Sequence, residues 1–183
     1  MPEPASDSRL IAESIKTPER FAAIFDRHFD ALFGYLQRRL GPSVADELVN
    51  ELFLIAFRDR AKYDTAHKSA RPWLFGIATN LMRRHQRTER RKLLAYSKLG
   101  EDPVENEFEL AERRVDSARQ GPALATGLAR LRAKDRHVLL LWAWAGLSYE
   151  EIATALRIPL GTVRSRLARA RREMAELISG SGQ

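Results

Sequence analysis

Six arginines stand among the sixteen residues of RIPLGTVRSRLARARR, Arg157 to Arg172, and no carboxylate lies among them. Guanidinium groups at that density bind polyanions, because each planar fork matches two phosphate oxygens or the acceptor pair on a guanine edge. At 100° per residue, Val163, Leu167, Ala170 and Met174 share one stripe of a helix, which must face a core. Arg164, Ser165, Ala168, Arg169 and Arg172 fall opposite, with Arg166 and Arg171 on the flanks. Small residues between the arginines let the helix approach closely. That suits a major groove, where one Arg–guanine pair is worth about 1–3 kcal/mol. An ordinary solvated helix usually alternates Arg with Glu, and here only Glu173 follows.

A second such face lies in WLFGIATNLMRRHQR. Leu74, Ile77, Ala78, Leu81 and His85 make the inward stripe, His85 as a core or boundary residue. Trp73, Gly76, Asn80, Arg83, Arg84 and Arg87 collect on the other side. An aromatic, an amide and a row of cations suit a nucleic-acid backbone with unstacked bases. Trp73 alone fits an interior position equally well.

A third face carries the opposite charge. In SVADELVNELFLIAF, Leu48, Val49, Leu52, Phe53, Ala56 and Phe57 form a buried arc, leaving Glu47, Asn50, Glu51, Leu54 and Arg58 outside. Such a patch repels DNA and suits a basic protein surface, though a plain polar face has the same pattern. Asp46, Glu47 and Glu51 could also chelate a metal for a nuclease. No histidine pair, Gly-rich phosphate loop or nucleophile with an adjacent base supports an enzyme. No metal or cofactor is expected.

The elements that must position these faces are all helical, since β-branched alternation is nowhere sustained. Residues 1–16, rich in Pro, Ser and charge, read as a mobile tail. Thr17-Pro18 reads as a capped start for a helix carrying Phe21, Phe25, Phe29, Leu32, Phe33 and Leu36, with Gly41-Pro42 as its stop. Ser43, with Asp46 three residues on, resembles a capping box for a helix to about Arg60. A polar loop over Tyr63 to Pro72 precedes a third helix to about Leu94. Residues 98–121 hold seven acids and few large apolar side chains, and read as a tether. Four helices follow, over about 122–132, 134–145, 148–156 and 160–178, then a second tail, 179–183. Ser148 and Glu151 form a capping box, and GLSYEEIATALRIPLGTVRSRL fits a helix-turn-helix. Arg157 stands in its turn where glycine is usual, at a cost of about 1 kcal/mol if left-handed. The expectation is an all-α chain of two small domains, 17–97 and 122–178, joined by an acidic linker.

Bulk properties agree. The chain has 183 residues, a formal charge of +7 and no cysteine, so disulfides and thiolate metal sites are excluded. A basic balance favours nucleic acid or an anionic surface as partner. The N-terminus lacks a signal peptide's basic start and apolar core. The longest apolar run, Val138 to Leu147, is about half of the roughly 20 residues a membrane span needs. These features suggest a soluble intracellular protein without membrane insertion.

Taken together, ADELVNELFLIAF, ARPWLFGIATN and GLSYEEIATAL…GTVRSRLARAR, in this order and spacing, resemble an extracytoplasmic-function (group IV) sigma factor of the sigma-70 superfamily. The resemblance covers roughly Phe21 to Ile178. It implies a cytoplasmic bacterial initiation factor that binds core RNA polymerase, through the largest-subunit coiled coil and the flap, and directs it to promoter DNA. Asp46, Glu47, Asn50, Glu51 and Leu54 would dock on polymerase. Asp64, Lys68, Arg71, Trp73, Gly76, Asn80, Arg83, Arg84 and Arg87 would capture the melted minus-ten element. Arg164, Ser165, Arg166, Ala168, Arg169 and Arg172 would read the minus-35 element. An anti-sigma partner is implied too. The tether would run toward the RNA exit path, although a plain disordered linker explains its composition as well. Ala70 stands where the family commonly has an aromatic, and Thr79 where it usually has arginine. The competing reading is a stand-alone helix-turn-helix regulator, which would leave the acidic face and the Trp/Asn/Arg face unused.

Overall fold

The computed structural model describes residues 5–98 and 122–180, so the tether and the last three residues lie outside the described part, apart from Lys98. Every regular element among the described residues is helical.

The expected mobile tail is overturned from Asp7 onward. Helix α1, Asp7–Ser14, is capped by the Ser6 hydroxyl, which accepts from the Arg9 N–H. Leu10 and Ile11 are buried one turn later. A Ser cap ahead of two adjacent aliphatics outweighs the polar composition around them.

The next helix does not start on a Thr17 cap, because that hydroxyl makes no capping bond. A 3-10 turn, Pro18–Phe21, leads instead into α2, Ala22–Leu40. Ile24, Leu32, Tyr35 and Leu36 of α2 are buried. Phe25, Phe29 and Phe33 lie at the rim rather than the centre, Phe25 resting 4.6 Å from the Phe53 ring. Gly41, at φ 83°, turns the chain in a region that costs other residues, and α3, Pro42–Asp59, begins at once. Proline at the first position places Ser43 inside the opening turn, so the expected Ser43 box does not form. Ala45, Leu48, Val49, Leu52 and Ala56 of α3 meet α2, each large aliphatic contributing about 1.5–3 kcal/mol on burial.

Helix α4, Arg71–Lys98, closes this first module with Leu74, Phe75, Ala78, Leu81 and Met82 inward. Thr79 is inward as well, its hydroxyl donating to the Phe75 carbonyl at 2.8 Å. Thr79 therefore presents nothing to solvent.

The second module comprises α5, Pro122–Arg130, α6, Ala133–Ala143, α7, Tyr149–Leu156, and α8, Leu160–Gly180. Ser148 and Glu151 form the capping box at the start of α7, with bonds of 3.1 and 2.8 Å. Arg157 is left-handed at φ 52°, ψ 50°, the one positive-φ residue other than glycine among those described. The α7–turn–α8 unit closes over Leu140, Leu141, Leu147, Ile152, Val163 and Leu167. The two modules touch, α4 lying directly against α7.

Candidate nucleic-acid interface

In α8 the buried stripe is Val163, Leu167, Ala170 and Met174, which fixes the opposite face by helical geometry. Arg164, Ser165, Ala168 and Arg172 are exposed, and Arg166 is half-buried. The Ser165 hydroxyl donates back to the Thr162 carbonyl at 3.1 Å. Arg169 differs from its neighbours. Its guanidinium reaches back 3.1 Å to the carboxylate of Asp135, which is 1% exposed at the start of α6. It is thus tied to the module's interior as well as lying beside the outward row. Arg171 lies 4.1 Å over the ring of Trp142.

The α4 face and the loop before it line one cleft of about 1150 Å³ between the modules. Asp64, Trp73, Gly76, Asn80, Arg83, Arg84 and Arg87 all contribute to its wall. Lys68 is exposed on the same loop outside the cleft, and the Arg71 guanidinium donates to the Ala145 carbonyl of the second module. Trp73 is half-buried, its ring 5.0 Å from that of Tyr63, so it is neither pure core nor a free stacking platform. Asn80 is exposed to solvent. Gly76, expected on the outward face, is instead buried against α7. Projection along one helix cannot register a neighbouring module.

The cleft is strongly cationic. Arg39, Lys62, Arg136 and Arg157 join the α4 arginines, Arg90 among them, against the carboxylates of Asp59 and Asp64. His137, on the second module's wall, is 3% exposed. Burial, and then the guanidinium of Arg39 with those of Arg83 and Arg136, lowers its pKa to about 3. Sequence reading missed Arg39, Arg136 and His137, since nothing local marks a residue that a distant module brings into line.

The loop itself is tightly organised. The Tyr63 hydroxyl donates to the carbonyls of His67 and Ser69 at 2.6 and 3.0 Å. Asp64 accepts from the Ala66 N–H at 3.0 Å, closing a local turn. Burial, with the charges of Asp7 and Asp64, pushes the Tyr63 phenol up to about 12, so it stays a donor.

On α3, Asp46, Glu47 and Asn50 are exposed, and Leu54 is 70% exposed, unusual for a large aliphatic. Glu51 is half-buried and pairs with Arg84 across to α4. The acidic face and the cationic cleft therefore adjoin through this pair.

Such an arrangement defines a two-module helical protein with a helix-turn-helix and two separate cationic surfaces. Residues 24–92 match the Sigma-70 region 2 family, and residues 123–174 match the Sigma-70, region 4 family. The RNA polymerase sigma factor HrpL of Pseudomonas syringae pv. syringae is 33% identical over 80% of each chain. The ECF RNA polymerase sigma factor SigL of Mycobacterium tuberculosis is 31% identical over 79% of this chain and 81% of its own. Among solved structures, CnrH in complex with the cytosolic domain of CnrY superposes with a TM-score of 0.69 at 24% identity, over 95% of this chain and 97% of that one. The chain belongs to the extracytoplasmic-function RNA polymerase sigma factors. It is a transcription initiation factor that binds RNA polymerase and directs it to promoters.

Proposed function

We propose that the three surfaces divide promoter recognition among them. The outward face of α8 reads the minus-35 element in the major groove, led by Arg164 and Ser165. The loop before α4, with Trp73, Asn80 and the arginines of α4, captures bases of the melted minus-ten element. The face of α3 around Glu47, Asn50 and Leu54 docks on the coiled coil of the largest polymerase subunit.

The observation that carries this reading is the convergence of Asp64, Trp73, Asn80 and Arg83 on one wall, next to an acidic face with an exposed Leu54. Opening the duplex costs base stacking, and holding extruded bases offsets it by about 1–3 kcal/mol each. The arginines add a salt-sensitive attraction without sequence preference. Binding alone does this work, with no covalent step. A restraining anti-sigma partner completes the reading, and the sigma factor RpoE from Bartonella quintana, solved in complex with the anti-sigma factor NepR, supports a protein partner of this kind. Action on the chromosome places the protein in the cytoplasm.

Run-off transcription with core polymerase on a genomic fragment library tests the reading. The expected result is a set of discrete starts sharing two spaced elements. Tight specific duplex binding by the chain alone, with no stimulation of polymerase, would overturn it in favour of a stand-alone regulator.

A further inference from the structure

The N-terminal helix reaches the loop that precedes α4. Asp7, 4% exposed, lies between three elements. One carboxylate oxygen accepts from the backbone N–H of Ala70 at 2.8 Å and lies 2.8 Å from His28 Nε2 on α2. The other accepts from Arg27, also on α2. The Ser8 N–H donates to the Lys68 carbonyl at 3.4 Å, a longer second link from α1 to the same loop. At its other end α1 is held too, the Ser14 carbonyl accepting from Arg60 Nε at 3.3 Å.

Ala70 is the residue from which α4 springs, its carbonyl taking the first helical bond from the Leu74 N–H at 2.9 Å. A carboxylate there satisfies a backbone donor and places negative charge at a helix N-terminus. Ala70 is fully buried, so the chain offers only its backbone there, and Asp7 takes it. Tyr63 ties the loop from the inside through His67 and Ser69. Asp7 ties its far end to α2.

We propose that Asp7 is a positioning residue for minus-ten recognition: by clamping Ala70 to α2 it fixes the path of residues 64–70, and so sets which extruded base the loop accepts. This rests on the assignment of that loop to the minus-ten element under Proposed function. Asp7 touches no base. It acts through the backbone of Ala70.

The test uses full-length chain with Asp7→Ala, Asp7→Asn and Arg27→Ala, each confirmed folded by circular dichroism. Hydrogen exchange at the amides of 64–70 reads the clamp directly, without DNA. Asp7→Ala raises exchange there about tenfold, the effect of losing a charge-assisted hydrogen bond. Arg27→Ala removes a partner of Asp7 but not the Ala70 bond, and leaves those amides protected. Holoenzymes are then compared by run-off transcription on promoters carrying single-base changes in either element. Asp7→Ala narrows discrimination among minus-ten variants while leaving minus-35 discrimination unchanged. Asp7→Asn, which keeps an acceptor for Ala70, restores most of it. Wild-type exchange rates in Asp7→Ala, or equal loss at both elements, overturn the proposal. If exchange rises as expected but substitutions within 64–70 leave minus-ten preference untouched, the assignment of the loop fails instead, and the proposal with it.

Discussion

The backbone of Gly76 on α4 lies so close to the carbonyl of Ala155 on α7 that a Cβ added to Gly76 would stand 2.6 Å from that oxygen. Glycine inside a helix costs about 1 kcal/mol relative to alanine, so its presence calls for a reason, and the neighbouring module supplies one. The contact is backbone against side-chain position, with no flexible side chain to give way. Gly76→Ala is therefore expected to stabilise α4 while prising the modules apart. The chain has no cysteine, so dyes at Ala22→Cys and Ala175→Cys, both exposed sites, report the separation. Energy transfer between them should fall in Gly76→Ala, and an unchanged signal would refute the close contact.

Arg164 and Arg169 should separate on mutation, although helical projection places them on one face. Arg164→Ala removes an exposed side chain and should leave the melting temperature unchanged. Discrimination at the upstream element should fall by about 1–3 kcal/mol. Arg169→Ala leaves the buried Asp135 carboxylate without that partner and should cost about 1–3 kcal/mol of stability as well. Adding Asp135→Asn should recover part of that loss in thermal unfolding. Equal melting temperatures for the two single variants would count against the ion pair.

Local signals were legible where short spacing alone decides the outcome. The Val163/Leu167/Ala170/Met174 stripe and the Ser148–Glu151 box depend on neighbours three or four residues away, and both are present. The left-handed Arg157 follows from the same short-range turn geometry. What escaped was set by distant partners. Asp7 looks like part of a polar tail until Ala70, sixty-three residues on, supplies its donor. Gly76 looks like a gap on a solvent face until α7 fills it. Ser43 failed for a local reason: proline at position 42 starts the helix one residue too early for a serine cap.

The acidic face of α3 should govern polymerase association. Glu47→Lys with Glu51→Lys reverses two charges, and the second change also places a cation opposite Arg84. Retention on immobilised core polymerase should drop at least about tenfold, equivalent to roughly 1.4 kcal/mol. Leu54→Asp should act in the same direction, because the exposed aliphatic loses its apolar contact. Helicity should stay unchanged in both. Undiminished co-purification would refute this docking site.

Acid should loosen the molecule well before carboxylates begin to titrate in bulk. The unfolded chain takes a proton on His137 near pH 6.5, whereas burial and the surrounding guanidiniums keep the folded side chain neutral down to about pH 3. Between those values the unfolded state binds more protons, so stability is fullest above pH 6.5 and declines as pH falls, by up to about 1.4 kcal/mol per unit. Asp7 adds a second loss lower down. Burial opposes its ionisation, but hydrogen bonds from His28 and Ala70, with the neighbouring cations, hold its pKa at about 2 against 3.8 unfolded. Its contribution is present above pH 3.8 and disappears as pH drops through 2. Urea midpoints between pH 7.5 and 4.5 span this window, and comparison with His137→Gln, which should flatten the slope there, assigns the effect to this histidine. Because Arg39 and Arg83 belong to the first module and His137 to the second, Gly76→Ala should flatten it partly too. Identical slopes in all three proteins would mean that the histidine does not feel the opposite wall of the cleft.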